Sequence, residues 1–403
     1  MSTRTLAGVV ATTDLHSHLD NAASLVDTLW AKRSTHLVVD SGDMFEGTGY
    51  YRARGGNLET QLLRHLYDAV VPGNHGYRHY RSRELAPLVV CCNITSSTGT
   101  PVWAPVQLRR IGGRRVAVTG IMSASAWSCV PAAERRGHQL IDPAPALHRL
   151  IRSVDATEWV VLSHSGFEHD QGLAARLPAL RGVVFAGHCH SALIGPTRAG
   201  QAVVVKGAEH GAGFAAARLE PTGWRFLRGL FPITEPDVAE LPLELTSLLD
   251  DIRSVRTTSR TIAPTTATYR HAVPHRTQLT ERLARHAHHR TRLPVLLNET
   301  ALRPARVGAH LSEWDLAELD PFDNHLVSAH LPEPLTAGTL DRLIGDVGPL
   351  AVVPAVASPT LAQVVTTAYL ATTHLDARST TPTGVCLRDL LIREMTTPSG
   401  EAR

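Results

Sequence analysis

Short apolar runs that end in Asp, Gly and His constrain this chain more than any other feature. Five do so: "LAGVVATTDLH" leads to Asp14 and His16, "THLVVDSGD" to Asp43, "AVVPGNH" to Asn74 and His75, "EWVVLSHSG" to His164, and "GVVFAGHCH" to His188 and His190. Runs of this length, rich in Val and bounded by turn residues, read as buried strands. "NLETQLLRHLYD" (57–68) and "APALHRLIRSV" (144–154) have helical spacing between them, and such alternation predicts a layered α/β fold. In an open α/β sheet ligands bind beyond the carboxyl ends of the strands, so the five turns can converge on one place. A Gly ahead of several of these residues lets the backbone turn tightly there. "QAVVVKGAE", "GFAAARLE" and "GWRFLRGLF" then read as consecutive strands, a meander closing the domain.

The 403 residues suffice for two domains, and with 43% hydrophobic residues a packed core is expected. A net charge of +3 gives no pull toward a nucleic acid polymer or a membrane. Among 40 basic residues only Lys32 and Lys206 are lysine, an arginine bias that fits a GC-rich genome. No stretch approaches the roughly 20 apolar residues that span a bilayer, and the N-terminus lacks the apolar core of a signal peptide. The five cysteines form no Cys-x-x-Cys pair. Structural thiols in a reducing cytoplasm are expected.

From about 234 to 292, Pro, Thr, Arg and His dominate and apolar periodicity fades. The domains are expected at 1–235 and 236–403, with 236–292 as linker and entry helix. "RLARHAHHR" (282–290) reads as an exposed helix whose histidines form a solvated face rather than a metal site.

The first turn, "TTDLHSHLD", is ambiguous by itself. Asp14 with His16 is a metallophosphoesterase spelling, and His16 with His18 suits amidohydrolase-like barrels. The order Asp-x-His, Gly-Asp, Gly-Asn-His, His, Gly-His-x-His resembles the calcineurin-like metallophosphoesterases. Within them "VVDSGDMFEGTGYY" and "VLSHSGFEHD" resemble the 5′-nucleotidase family. The resemblance favours Asp14 with His16 and makes His18 a loop residue. It implies an α/β fold: a layered β-sandwich domain flanked by helices, with a second, smaller α/β domain that binds substrate.

It also implies two divalent metal ions. One would take Asp14, His16, Asp43 and His190; the other would take Asp43, Asn74, His164 and His188. Two cations about 3.5–4 Å apart can hold a bridging hydroxide and neutralise phosphoryl oxygens in an in-line displacement. Mixed N and O donors suit Mn, Zn, Fe or Co. His75 matches the family's catalytic histidine. The family continues Asn-His-Glu-x-Asp, but here the chain reads "GNHGYRHY", with Gly76 and Arg78 in place of the acids. Loss of the orienting acid is expected to lower the basicity of His75 and loosen its orientation unless Tyr77 or His79 substitutes.

"LLNETALRPARVGAHLSEWDLAELDPFDNHLV" (296–327) resembles the family's Asn-x-Gly-Gly-Ile-Arg followed by Pro-Phe-Gly-Asn. It implies Arg303 on phosphate, Phe322 stacked on a base and Asn324 bonded to the base edge. "VVTTAYLATTHLDA" supplies Tyr369 as the second stacking aromatic. The expected function is removal of phosphate from a nucleoside 5′-monophosphate or modified nucleotide by a cytoplasmic enzyme, in a biosynthetic pathway. Its rivals are a phosphodiesterase on cyclic nucleotides or nucleotide conjugates, and a nucleotide-binding protein with little turnover.

Overall fold

The computed structural model of the chain describes residues 4–232, 241–354 and 361–397. Two compact units emerge, Met1–Glu46 with Gly56–Arg253, and Gly47–Gly55 with Ser254–Arg403. The expected boundary at 235/236 lies outside the described residues. Residues 47–55, expected with the first domain, pack instead with the second unit.

The first unit is an α/β sandwich. Its strands in chain order are β1 (Gly8–Thr12), β2 (His36–Asp40), β3 (Ala69–Val70), β4 (Ile94–Ser96), β5 (Gln107–Ile111), β6 (Arg114–Met122) and β7 (His138–Leu140). There follow β8 (Glu158–His164), β9 (Gly182–Ala186), β10 (Thr197–Ala199), β11 (Ala202–Val205), β12 (Gly213–Glu220) and β13 (Gly223–Leu230). One sheet runs β13-β12-β1-β2-β3 and the other β10-β11-β9-β8-β6-β5. β1, β2 and β3 are parallel to one another, and so are β6, β8, β9 and β11. Their carboxyl ends carry the Asp, Asn and His turns.

Period-two patterning builds the layers. Val118, Val160, Leu162, Val183 and Phe185 join Val9, Ala11, Leu37 and Val39 in one apolar cluster drawn from both sheets. The alternate residues Ala117, Trp159, Val161, Val184 and Ala186 pack with Leu147, Phe167 and Leu173 from the helices Pro143–Ser153 and Phe167–Ala175. Each fully buried Val, Leu or Phe contributes about 1.5–3 kcal/mol. One expectation is corrected. β11 pairs with β9 and β10, so only β12 and β13 form the antiparallel pair beside β1. Residues 206–212 therefore cross between the two sheets.

The second unit has its own five-stranded sheet. The unit's strands are β14 (Thr261–Pro264), β15 (Val295–Asn298), β16 (His310–Ser312), β17 (His325–Leu335), β18 (Leu350–Val353), β19 (Leu361–Thr367) and β20 (Ser379–Cys386); the sheet has the order β18-β15-β19-β17-β20, and β14 pairs with β16 separately. Val295, Leu297 and Val365 pack with Leu283 and Ala287 of the helix Arg276–Thr291 and with Leu390 and Leu391 of Leu387–Thr396. Leu296 and Val364 face Leu343 of Ala337–Val347 and Leu370 of Ala368–Thr373 on the other side. Helix Arg276–Thr291 therefore has one buried face, which corrects its reading as a solvated helix. Segment 47–55 contributes the short helix Gly49–Arg54. There Gly49 N donates to Glu318 at 2.6 Å, Arg52 pairs with Asp323 at 2.5 Å, and the Tyr50 ring meets Trp314 edge-on at 4.8 Å. Among the described residues, no helix is long and apolar enough to cross a membrane.

Candidate metal centre

The turns beyond the strands are tied together through their backbones. Asp14 N donates to Gly42 O at 3.0 Å, His16 N to Asp43 O at 2.8 Å and Ser17 N to Met44 O at 3.0 Å, locking the turn after β1 to the turn after β2. The Asp14 carboxylate accepts from His188 N at 2.9 Å, and the Asp43 carboxylate accepts from His75 N at 2.8 Å. Four turns thus share two carboxylates. Gly42, at φ +95°, is required by space as well as by conformation, since a Cβ there would lie 2.5 Å from His164 Nδ1.

Backbone strain is concentrated in the same place. Among the described residues of the first unit, those other than glycine with left-handed φ are Asp14, His16, Ser17, Asp43, Glu46 and His188, all in these turns, and His210 in the turn after β11. Each such conformation costs on the order of 1–3 kcal/mol and persists only where surrounding structure fixes it.

The side chains converge on Asp43. One of its oxygens lies 3.3 Å from His164 Nε2 and the other 3.5 Å from His16 Nε2. Asn74 Oδ1 lies 3.0 Å from both His164 Nε2 and His188 Nδ1. Donors bound at about 2.1 Å to one cation sit about 3.0–3.4 Å apart, so these spacings fit a metal's ligand set. His164 Nδ1 donates to Ser41 O at 2.9 Å, which turns Nε2 toward Asp43. His190 Nδ1 is held by Glu209, itself held by the buried Lys206 ammonium. Three sets bring their donor atoms within 4.8 Å of one another: Asp43, His164 and His188; His16, Asp43 and His75; His16, His190 and His210. Asp14 is in none of these three; its oxygens accept from His188 N and the Thr13 hydroxyl.

Electrostatics follows from burial and these neighbours. Burial opposes the charge on Asp43, but His164, His75 and His16 hold it well below the usual carboxylate range. Burial lowers His164 too, yet Asp43 and Asp14 raise it to about 9. His188 goes the other way, to about 3, through burial and the adjacent His164. His188 is thereby neutral beside an ionised Asp43, whereas His164 is protonated at neutral pH and would release that proton on binding a cation.

His75 has a carboxylate partner that the sequence reading missed. Glu46 Oε2 lies 3.3 Å from His75 Nδ1, and Glu46 Oε1 lies 3.6 Å from Arg78 Nη1. Burial would raise Glu46, but His75 and Arg78 lower it, so it is ionised at neutral pH. Tyr77 instead bonds His138 at 2.8 Å, and His79 stacks on Phe45 at 4.5 Å. The expected loosening of His75 is therefore corrected: the Glu46 carboxylate, itself beside Arg78, lies against the His75 ring. Glu46 lay unread in "GDMFEGT", and Glu209 with His210 in "KGAEHG", because neither falls in the strand-end pattern that singled out the others.

In the second unit, Leu326 on β17 pairs with Thr367 on antiparallel β19, and β15 runs parallel to β19. That register brings Phe322, just before β17, Tyr369, just after β19, and Arg303, after β15, to one end of the sheet. The Arg303 guanidinium lies 5.2 Å from the Phe322 ring centre. The Tyr369 hydroxyl bonds His374 at 3.1 Å. The Asn324 amide nitrogen donates to Ala301 O at 3.2 Å and to Asp320 at 2.7 Å.

A sandwich whose parallel strands deliver Asp, Asn and His to a buried carboxylate defines a metallophosphoesterase domain, and residues 8–192 match the calcineurin-like phosphoesterase family. The chain carries a domain of that family, whose members use divalent metals. YunD of Bacillus subtilis, an uncharacterized metallophosphoesterase, is 29% identical over 203 residues, 45% of this chain and 43% of that protein. A snake venom 5′-nucleotidase of Crotalus adamanteus is 23% identical over 198 residues, 45% of this chain and 33% of that protein. The match thus spans less than half the length of either relative. The 5′-nucleotidase precursor of Thermus thermophilus superposes with a TM-score of 0.73 at 19% identity, over 98% of this chain and 97% of that one. The whole two-domain chain has the 5′-nucleotidase fold.

Proposed function

We propose that this chain is a dinuclear-metal phosphohydrolase that removes phosphate from a nucleoside 5′-monophosphate or a modified nucleotide. The observation that carries the reading is Asp43, one of whose oxygens lies beside His164 and the other beside His16. A carboxylate so flanked suits a bridge between two cations, one with Asn74, His164 and His188 and the other with Asp14, His16 and His190. When bound, Mn, Zn, Fe or Co would supply charge to neutralise phosphoryl oxygens and would activate water at neutral pH.

The protein groups do the rest. Glu46 holds His75 through Nδ1, so that Nε2 is the atom that gives a proton to the leaving ester oxygen. Arg303 and Phe322, with Asn324 and Tyr369, offer a cation, two aromatic faces and an amide for phosphate and base. The named activities of the 5′-nucleotidase relatives support a nucleotide as substrate. Five cysteines without a disulfide support a reducing, cytoplasmic setting and hence a biosynthetic rather than scavenging role.

The test is phosphate release across nucleoside monophosphates, diphosphates and cyclic nucleotides, with each metal supplied in turn. Monophosphates should be turned over only with metal, and Asp43→Ala should abolish turnover while circular dichroism stays native. Because uncatalysed monoester hydrolysis is extremely slow, no background can mask the loss. A variant as active as the parent would refute the bridge, and cyclic nucleotides as the preferred substrates would make the protein a diesterase.

A further inference from the structure

The turn between β11 and β12 carries a histidine that the reading above does not use. The His16, His190 and His210 rings form a near-equilateral triangle, with centres 5.3, 5.8 and 5.4 Å apart for the pairs 16–190, 16–210 and 190–210. One nitrogen from each lies within 4.8 Å of the other two. Residue 210 is exposed, and an exposed histidine is ordinarily a surface residue. Three observations set this one apart.

Its backbone has φ +55°, the left-handed conformation that in this unit recurs at Asp14, His16, Asp43 and His188. Its N–H donates to Asp14 O at 2.9 Å, so the residue is fixed to the first metal turn rather than merely near it. Its neighbour Glu209 holds His190 Nδ1, which aims the other nitrogen of His190 away from Glu209. The His18 ring also packs against His210, centres 4.3 Å apart. The segment "AEHG" thus supplies a carboxylate that orients one imidazole and an imidazole standing beside it.

We infer that His210 is a further ligand of the first cation, capping it together with His16 and His190. This rests on the dinuclear reading and adds a ligand to the four that reading assigns to the first site. Three imidazoles would shift that site toward Zn, Fe or Co and away from Mg or Ca, which prefer oxygen donors.

The experiment uses the full chain and metal alone. His210→Gly removes the imidazole where glycine is the residue best suited to the backbone, so the fold should be retained. Zn²⁺ or Co²⁺ uptake is followed by calorimetry and elemental analysis, with the visible spectrum of the Co²⁺ form as a second readout. The parent should bind two equivalents. The variant should bind one as tightly as the parent and the other at least about tenfold more weakly, with an altered Co²⁺ spectrum. Millimolar imidazole should restore both. Two equivalents at parental affinity in the variant, with an unchanged spectrum and no response to imidazole, overturn the inference and leave His210 a surface residue. A parent that takes up fewer than two equivalents overturns the dinuclear reading itself, and the inference with it; His16→Ala, which should also lose the first cation, marks which site is being read.

Discussion

His75 and Glu46 lie 29 positions apart in sequence and 3.3 Å apart in the fold. Read from sequence, the replacement of the family's acids by Gly76 and Arg78 pointed to a weakened histidine. The structure restores the missing charge from a different turn, and the backbone carbonyl of the same Glu46 lies 3.3 Å from His16 Nδ1. This alters the expected size of a mutational effect. A positioned acid or base contributes on the order of 10² to 10⁴ in rate, and with its orienting carboxylate in place His75→Ala should cost the fuller part of that range. Glu46→Gln keeps the shape and removes the charge, and should lower kcat on a nucleotide by about 10- to 100-fold with KM little changed. On the His75→Ala background it should cost almost nothing more, since residues acting as a unit are not additive. Full additivity in that double mutant would mean that Glu46 acts elsewhere. The strand-end Asp, Asn and His residues were legible because each follows an apolar run. Glu46 was not, because its partner is defined only by how two turns meet.

At the scale of elements, helix Arg276–Thr291 shows what a polar sequence conceals. Its apolar residues Leu279, Leu283, Ala284 and Ala287 fall on one face and are buried, a spacing present in the sequence but outweighed there by the Arg and His around it. The partner of the polar face is remote: Glu394, on helix Leu387–Thr396, accepts from Tyr269 at 2.6 Å, from His286 at 2.7 Å and from Arg282 at 3.0 Å. Burial alone would raise its pKa, but these three donors hold Glu394 below its usual value. A carboxylate depressed on folding stabilises the protein above its unfolded pKa of about 4.3, and that stabilisation is lost as pH falls through the lower folded value. Glu394→Gln should therefore destabilise the protein by about 1–3 kcal/mol at pH 7, the usual worth of bonds to a charged group. In urea unfolding the difference between variant and parent should shrink as pH drops below about 4.3. A gap independent of pH would mean that packing, not charge, joins the two helices at this point.

At the scale of the whole molecule, composition changes near residue 235 while the packing divides between Arg253 and Ser254, and residues 47–55 pack with the second unit. Composition reports where apolar periodicity fades; it carries no information on which sheet a segment joins. The division of labour between the units is nonetheless testable. The metal turns and His75 belong to the first unit, whereas Phe322 and Tyr369 belong to the second, at one end of its sheet. Both aromatics are only partly buried, which suits faces reserved for a ligand better than core packing. If they sandwich a base, replacing either with Ala should weaken use of a nucleotide by roughly 1–3 kcal/mol, about 5- to 150-fold. p-Nitrophenyl phosphate has no base, needs only the metals and His75, and should be hydrolysed by the variants almost as well as by the parent. Truncating a packing aromatic would act differently, lowering the melting temperature and slowing both esters alike. The decisive quantity is the ratio of kcat/KM for the two esters, measured in parent and variants at one metal concentration. A ratio that falls about 5-fold or more with the melting temperature unchanged assigns base recognition to this end of the sheet, and a constant ratio with a lower melting temperature assigns these rings to the core.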